Sequence, residues 1–310
     1  MTRARVVAVL GDLMLDVFEH GTASRLSPEA PVVVLLNPKT TTVLGGAANT
    51  AANARSLGAE VRLGGFAGLD AHGDTLVSLI DDGGMVSSVA RLPEIPTTVK
   101  RRFLAGTHQI MRLDVEAQEL SDDAADRIVA AFGDVADADS VVLSDYAKGA
   151  VSASVAQTVI ASARVHGRPV VVDSKRLDPS CFRGCAIIAP NHHEAAAMTR
   201  TTDPVRAAEI ISEATESAVL VTLGAQGMLI HDDSGFERIP SHAIEVSDVT
   251  GAGDTVTAAL AVALAEGATA REAARWANHA AAVAVAHAGT YAVPRSALRP
   301  ISESEVGAAM

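Results

Sequence analysis

The chain has 310 residues, 48% of them apolar but only 3% aromatic, and a formal charge of −12 at pH 7. That length admits one large α/β domain or two smaller ones, with a core built mainly of Val, Leu, Ile and Ala, as suits buried parallel strands flanked by Ala-rich helices. The acidic balance argues against duplex nucleic acid or an anionic membrane as the main partner, and an acidic substrate would need a local basic patch.

No apolar run reaches the length of a membrane-spanning helix, and Met1 to Leu15 lacks the plan of a signal peptide because its apolar segment runs into Gly11-Asp12. A cytoplasmic protein is expected. Val6 to Leu10 reads as a first buried strand, with Asp12 and Asp16 beyond its carboxyl end, where open α/β sheets gather ligands. Val32 to Leu36, bounded by Pro31 and Pro38, reads as a strand outside the central sheet. Gly45-Gly46-Ala47-Ala48-Asn49 leads into an Ala-rich helix reaching Leu57, with Gly58 as its stop. Asn49 can both donate to and accept from a polyol, and it equally suits a buried Asn bonded to backbone. Val61 to Phe66 is the next strand. Thr97 to Leu104 and Gln109 to Asp114 pair as strands carrying Lys100, Arg101, Arg102 and Arg112, the densest basic cluster in the chain. Alternation puts Lys100 and Arg102 on one face and Arg101 on the other.

From about Asp122 helix and strand alternate: Ala124 to Val135, Val141 to Leu143, Ser152 to His166, Val170 to Val172, Ile187-Ile188, Val205 to Ala214, Val219 to Val221 and Met228 to Ile230. That rhythm implies a parallel sheet with helices on both faces. Polar loops follow the strands: Ser144 to Gly149, Asp173-Ser174-Lys175, Asn191 to Glu194, and Thr222 to Gly227. They should converge on one crevice. Asn191 and Glu194 share a face if a helix starts at Pro190, and could then hold Mg²⁺ through its waters; a capping arrangement is the structural alternative. Cys181 and Cys185 have no second pair with which to form a metal site and are expected to be reduced thiols. Ala270 to His287 reads as a long helix whose Asn278 faces a nucleotide or simply packs.

The chemistry concentrates in Asp248-Val249-Thr250-Gly251-Ala252-Gly253-Asp254-Thr255, between the alternating run Ile239 to Val246 and the helix-forming run Thr255 to Ala265. Glycines opening a helix expose unpaired N–H groups and positive partial charge to a phosphate. Asp254 is unfavourable beside such an anion site unless it works as a general base; in isolation the pattern also fits an N-cap.

Taken together, Gly45 to Asn49, Pro190-Asn191-His192-His193-Glu194 and Asp248 to Asp254 resemble the ordered motifs of the ribokinase-like (PfkB) carbohydrate kinases. Gly11 to Asp16, Ser24 to Val32, Arg112-Leu113-Asp114 and Leu143 to Gly149 are closer still to the group within that family that phosphorylates D-glycero-β-D-manno-heptose 7-phosphate. The resemblance covers essentially the whole chain. It implies a three-layer α/β fold over residues 1–310, with a mostly parallel sheet and a small β lid from about 17–40 and 95–115. The lid would double as a homodimer interface. The implied reaction moves the ATP γ-phosphoryl group to a sugar hydroxyl with Mg²⁺. By position, Asp254 would be the base and Gly251, Ala252 and Gly253 the anion hole. Asp16, Gly45, Gly46, Asn49 and Asp145 would hold the sugar, and Lys100, Arg102 and Arg112 its phosphate. Asn191 and Glu194 would position Mg²⁺, while Lys175, Thr222, Gly224, Gly227 and Asn278 would serve the nucleotide. Asp173-Ser174-Lys175 departs from the Asp-Pro-Lys of the family. A separate phosphatase and nucleotidyltransferase are the expected pathway partners. No Walker A, protein-kinase H-R-D or dinucleotide G-x-G-x-x-G motif is present, which argues against those classes. Other sugar kinases of the same fold, or a catalytically silent relative that only binds ligands, remain the alternatives.

Overall fold

The computed structural model describes residues 3–117, 120–243 and 246–299. In chain order it contains β1 (Val6–Gly11), β2 (Leu13–Leu26), β3 (Val33–Gly46), α1 (Ala47–Ser56), β4 (Glu60–Gly68), α2 (Ala71–Asp82), β5 (Val86–Leu92), β6 (Val99–Ala105), β7 (His108–Val115) and α3 (Asp122–Phe132). There follow β8 (Ser140–Asp145), α4 (Ala153–Val165), β9 (Val170–Ser174), β10 (Ile187–Ile188), α5 (His192–Thr199), α6 (Pro204–Thr215), β11 (Ala218–Thr222), β12 (Met228–Asp232), β13 (Gly235–Ile239), α7 (Ala252–Ala265) and α8 (Ala270–Val285).

The short apolar runs form a nine-stranded sheet in the order β13-β12-β11-β10-β9-β8-β1-β4-β5. Side chains alternate across it, so each strand feeds two cores. Val7, Val9, Val142, Val171 and Leu220 pack under α1, α2, α7 and α8, whereas Ala8, Leu10, Val141, Val172 and Val221 pack under α3, α4 and α6. Strands buried on both faces therefore read as continuous apolar runs. The expected parallel pairing holds from β11 to β5, but β12 and β13 are antiparallel at the edge. Only Leu223 to Gly227 separates β11 from β12, too short for the crossover that a parallel neighbour needs.

The second sheet has the order β3-β2-β6-β7, with β2 and β6 parallel and the other two pairs antiparallel. The chain crosses between it and the rest of the molecule at four places: Asp12 between β1 and β2, Gly46 between β3 and α1, Thr97-Thr98 ahead of β6, and Glu116 beyond β7 on the way to α3. Asp12 is fully buried, and its carboxylate accepts the N–H groups of Tyr146, Lys148 and Ala150 at 2.7–2.9 Å. Burial outweighs those bonds and pushes its pKa up to about 6.

Helix α3 stops at Phe132, capped by Gly133, rather than reaching Val135. The run from Ile239 to Val246 gives only Ile239 to a strand; Ile244 and Glu245 lie outside the described residues. Cys181 and Cys185 are free thiols, and burial raises Cys185 to about 11. Among the described residues no helix is long and apolar enough to cross a membrane.

Candidate active site

Helix α7 begins where the sequence places its glycines. Gly251 is the N-cap residue, with φ at 77° in the left-handed region, and a side chain there would also crowd Asn49 Nδ2. The preceding loop is tied down by Asp248, which accepts from Thr250 N–H and hydroxyl and from Gly289 N–H, holding its carboxyl below the usual range. The N–H groups of Gly253 and Asp254 make no hydrogen bond among the described residues, so the first turn keeps its capacity for an anion.

Asp254 is buried at that turn, only 7% exposed. Its Oδ2 accepts from Asn49 Nδ2 at 2.6 Å; its Oδ1 accepts from the Tyr146 hydroxyl at 2.6 Å and the Thr50 hydroxyl at 3.0 Å. Burial raises its pKa, and those three donors, with Lys175, oppose the rise. Burial and the Asp254 charge drive the Tyr146 hydroxyl far above its ordinary value, so it stays a proton-bearing donor.

Asp254 opens onto a polar cavity of about 270 Å³ lined also by Tyr146, Asp173, Lys175, Glu194 and Gly253. Lys175 Nζ pairs with Glu194 Oε1 at 2.9 Å and lies 5.0 Å from the centre of the Tyr146 ring. Burial works to lower its pKa, but Glu194, Asp173 and Asp254 outweigh this and raise it. Asp173 is pushed up to about 7 by desolvation and by the charges of Asp254 and Glu194. Asn191 differs from its expected placement: it is the N-cap of α5, which starts at His192 rather than at Pro190. Its Oδ1 accepts from His193 and Glu194 N–H groups, and Glu194 Oε2 accepts from Asn191 N–H, a complete capping box.

A second, mainly apolar cavity of about 300 Å³ adjoins the first, sharing Thr222, Gly253 and Val256 with it. Gly224, Gly227 and Asn278 line it, and the Asn278 amide donates to Pro240 O at 2.7 Å. The other polar group lies on the small sheet. Asp16 pairs with Arg102, whose guanidinium sits 5.3 Å from the centre of the Phe18 ring, and a side chain on Gly45 would collide with the Asp16 carboxylate. Arg101 instead pairs with Glu19 at 3.1 Å, on the opposite face, as alternation requires. Lys100 is half-buried; burial lowers its pKa, partly opposed by Asp16 and reinforced by Lys148. Arg112 faces Arg102 across the strands and bonds Asp114 at 2.9 Å, while Lys148 pairs with Glu116 at 2.7 Å.

The structure thus brings Gly251, Ala252, Gly253, Asp254, Asn49, Lys175, Asn191, Glu194 and Thr222 to one crevice, with Gly46 at the head of α1. Asp145 is a correction. It is buried and accepts from Ala147 N–H, the Ser174 hydroxyl and Arg176 Nε, so its oxygens hold a loop rather than meet a substrate. Thr50 escaped the sequence reading, and Tyr146, Lys148 and Asp173 lay in loops expected at the crevice but were given no role. Tyr146 alone carried a signal, as the one aromatic residue in a strand-end loop otherwise made of small and charged residues.

A model of the pfkB family carbohydrate kinases matches residues 4–297. The chain belongs to the pfkB family of carbohydrate kinases. Within this family it is 42% identical to the bifunctional protein HldE of Caulobacter vibrioides over 98% of this chain, and spans 64% of that protein's length. It is 40% identical to the D-beta-D-heptose 7-phosphate kinase of Bordetella bronchiseptica, with 96% of each chain covered. The fold is that of Escherichia coli phosphofructokinase-2, crystallised with potassium (TM-score 0.75, 22% identity, 95% of this chain and 97% of the other), and of Arabidopsis thaliana ribokinase with ribose and ATP (TM-score 0.70, 23% identity, 97% and 98%). Two of the segments that carry the resemblance meet at the crevice: Gly45 to Asn49 leads into α1, and Gly251 to Asp254 opens α7.

Proposed function

We propose that this pfkB-family chain is an ATP-dependent kinase that phosphorylates the anomeric hydroxyl of D-glycero-D-manno-heptose 7-phosphate, giving the 1,7-bisphosphate. The observation that carries the reading is Asp254: a carboxylate shielded from water at a helix turn with unpaired N–H groups, lining a polar cavity that adjoins an apolar one. The heptose assignment draws on the relatives of about 40% identity and on the basic group at Lys100, Arg102, Arg112 and Lys148.

ATP would place its base in the apolar cavity beside Gly224, Gly227 and Asn278, and lead its phosphates past Thr222 toward Gly251, Ala252 and Gly253. The unpaired N–H groups of Gly253 and Asp254 would take up charge on the moving phosphoryl group, whereas that of Ala252 is bonded to Val249 O. Lys175 would add a cation on the same side. The donor set suits Mg²⁺ held largely through water: Glu194 and Asp173 supply carboxylates, Asn191 fixes the helix start, and among the described residues no three His, Cys, Asp or Glu form a direct cage. Bound there, the ion would neutralise phosphate charge. Asp254 would take the proton of the sugar hydroxyl as that oxygen bonds to the γ-phosphorus; the bond to the β-phosphate oxygen breaks and its electron pair leaves with ADP. Asp16, Gly45, Gly46 and Asn49 would orient the sugar, and the small sheet would act as a lid excluding water, the competing acceptor. The chain would work in the cytoplasm as a homodimer through that sheet, with phosphatase and nucleotidyltransferase steps downstream.

The test is Mg²⁺-dependent ADP release across D-glycero-D-manno-heptose 7-phosphate, fructose 6-phosphate, fructose and ribose. The heptose phosphate should lead by at least about tenfold in kcat/KM, and Lys100→Ala with Arg102→Ala should raise KM for it far more than for a neutral sugar. Asp254→Asn should remove most turnover and leave ATP affinity nearly intact. Preference for a neutral sugar would overturn the heptose assignment; full turnover in Asp254→Asn would overturn the base.

A further inference from the structure

The loop between β8 and α4 spends an unusual amount of structure on placing one hydroxyl. Two buried carboxylates hold its backbone: Asp12 takes the N–H of Tyr146, Lys148 and Ala150, and Asp145 takes that of Ala147, whose φ of 56° is left-handed. Arg176 neutralises Asp145 at 2.7 Å and ties the loop to Val151 O. A non-glycine residue in that conformation and two desolvated acids are each costly, and the cost is tolerable only where the surroundings fix the geometry. What the loop presents is the Tyr146 hydroxyl, 2.6 Å from Asp254 Oδ1.

A carboxylate has about four acceptor directions, two on each oxygen. On Asp254 the Tyr146 and Thr50 hydroxyls occupy both directions of Oδ1, and Asn49 occupies one of Oδ2. One acceptor position is left.

We propose that Tyr146 is a positioning residue for Asp254: with Thr50 it saturates Oδ1, so that the acceptor hydroxyl delivers its proton to Oδ2, and its donated hydrogen bond keeps the buried carboxylate ionised and ready to receive that proton. The proposal rests on the kinase reading for the identity of the proton donor, but the Tyr146–Asp254 bond itself does not. The charged groups that bear on Asp254 from the packed elements are Lys175 and Asp173 at the end of β9 and Glu194 at the start of α5. Lys175 favours the ionised form; the Asp254 charge raises Asp173, and Glu194 acts on Asp173 and Tyr146. Without Tyr146, Lys175 would be the remaining nearby cation and Asn49 and Thr50 the remaining donors.

The experiment is Tyr146→Phe, which keeps the ring and removes the donor. A hydrogen bond to a charged group is worth roughly 10- to 100-fold in an equilibrium. The kcat/KM profile for the best sugar should therefore lose about tenfold or more at its acid end, with the loss shrinking toward the alkaline plateau, because Asp254 now ionises at higher pH. Thr50→Val, removing the other donor to Oδ1, should shift the acid limb in the same direction. A loss of equal size at every pH, or an unmoved acid limb, would overturn the proposal.

Melting curves without nucleotide or sugar supply a second readout. Raising the folded-state pKa of a carboxyl further makes its contribution to stability fall more as pH rises, so the Tm deficit of Tyr146→Phe should grow as pH rises above the range of an ordinary carboxyl. In the Asp254→Asn background that growth should vanish. If no sugar in the panel is phosphorylated, the kinase assignment falls, while the melting curves still decide whether Tyr146 governs the ionisation of Asp254; a pH-independent deficit decides against it.

Discussion

Three carboxylates crowd Lys175, and they are not equivalent. Asp254 has three donors and Glu194 has a lysine and a backbone N–H, but the Asp173 side chain has no hydrogen-bond donor among the described residues. Desolvation, reinforced by the charges of Asp254 and Glu194, pushes its pKa up to about 7, and no donor opposes them. A carboxyl whose folded pKa lies above its unfolded one stabilises the fold relative to neutral pH only while protonated; that contribution is complete below about pH 4 and is lost as pH rises through 7. Asp173→Asn should therefore melt progressively higher than the parent between pH 5 and 8 in the absence of nucleotide and Mg²⁺, with little gain at pH 4. A gap that does not change with pH would mean that Asp173 is well solvated. The sequence could single out Asp254 as an acid beside the glycines that open a helix, where an N-cap competed with a general base, and the structure gives the cap to Gly251 instead. The loops of Asp173 and Tyr146 were legible as crevice loops but the two roles were not, because those depend on which strand ends meet, and Asp145 was misread because an acid at a strand end looks alike whether it faces the crevice or the loop behind it.

At the level of strands and helices, Gly46 is the junction on which the site turns. It passes β3 into α1 with φ at 61°, and an added Cβ would collide with Asp12 O, the acceptor of Ala47 N–H. Gly46→Ala should cost about 1–3 kcal/mol from backbone strain alone, with more from the clash. Because α1 carries Asn49 and Thr50, kcat should fall along with Tm; a variant that loses stability but keeps full turnover would show that α1 can settle without moving its two donors. Buried strands and Ala-rich helices were legible because their patterns repeat several times. The small sheet was legible only in outline. Its strands run from Leu13 to Gly46, longer than the 17–40 segment, since polar alternation in β2 and β3 weakens the apolar signal at both ends.

For the molecule as a whole, the small sheet is the surface that water covers least comfortably. Leu26, Val33, Ile110, Met111, Leu113 and Val115 are each between 41 and 63% exposed on it, a concentration that a second copy of the chain would bury. Met111→Glu with Leu113→Glu should shift the sedimenting species toward monomer at micromolar concentration while the far-UV signal of the large domain persists; an unchanged mass would place the interface elsewhere. The chain crosses between that sheet and the rest of the molecule along one line, at Asp12, Gly46, Thr97-Thr98 and, beyond β7, Glu116. β2 has 14 residues and could reach roughly 45 Å from that line. A tilt of about 10° would then carry its tip some 8 Å while the joints scarcely shift, a lever with its fulcrum at the substrate, where a small ligand has the best purchase on the largest displacement.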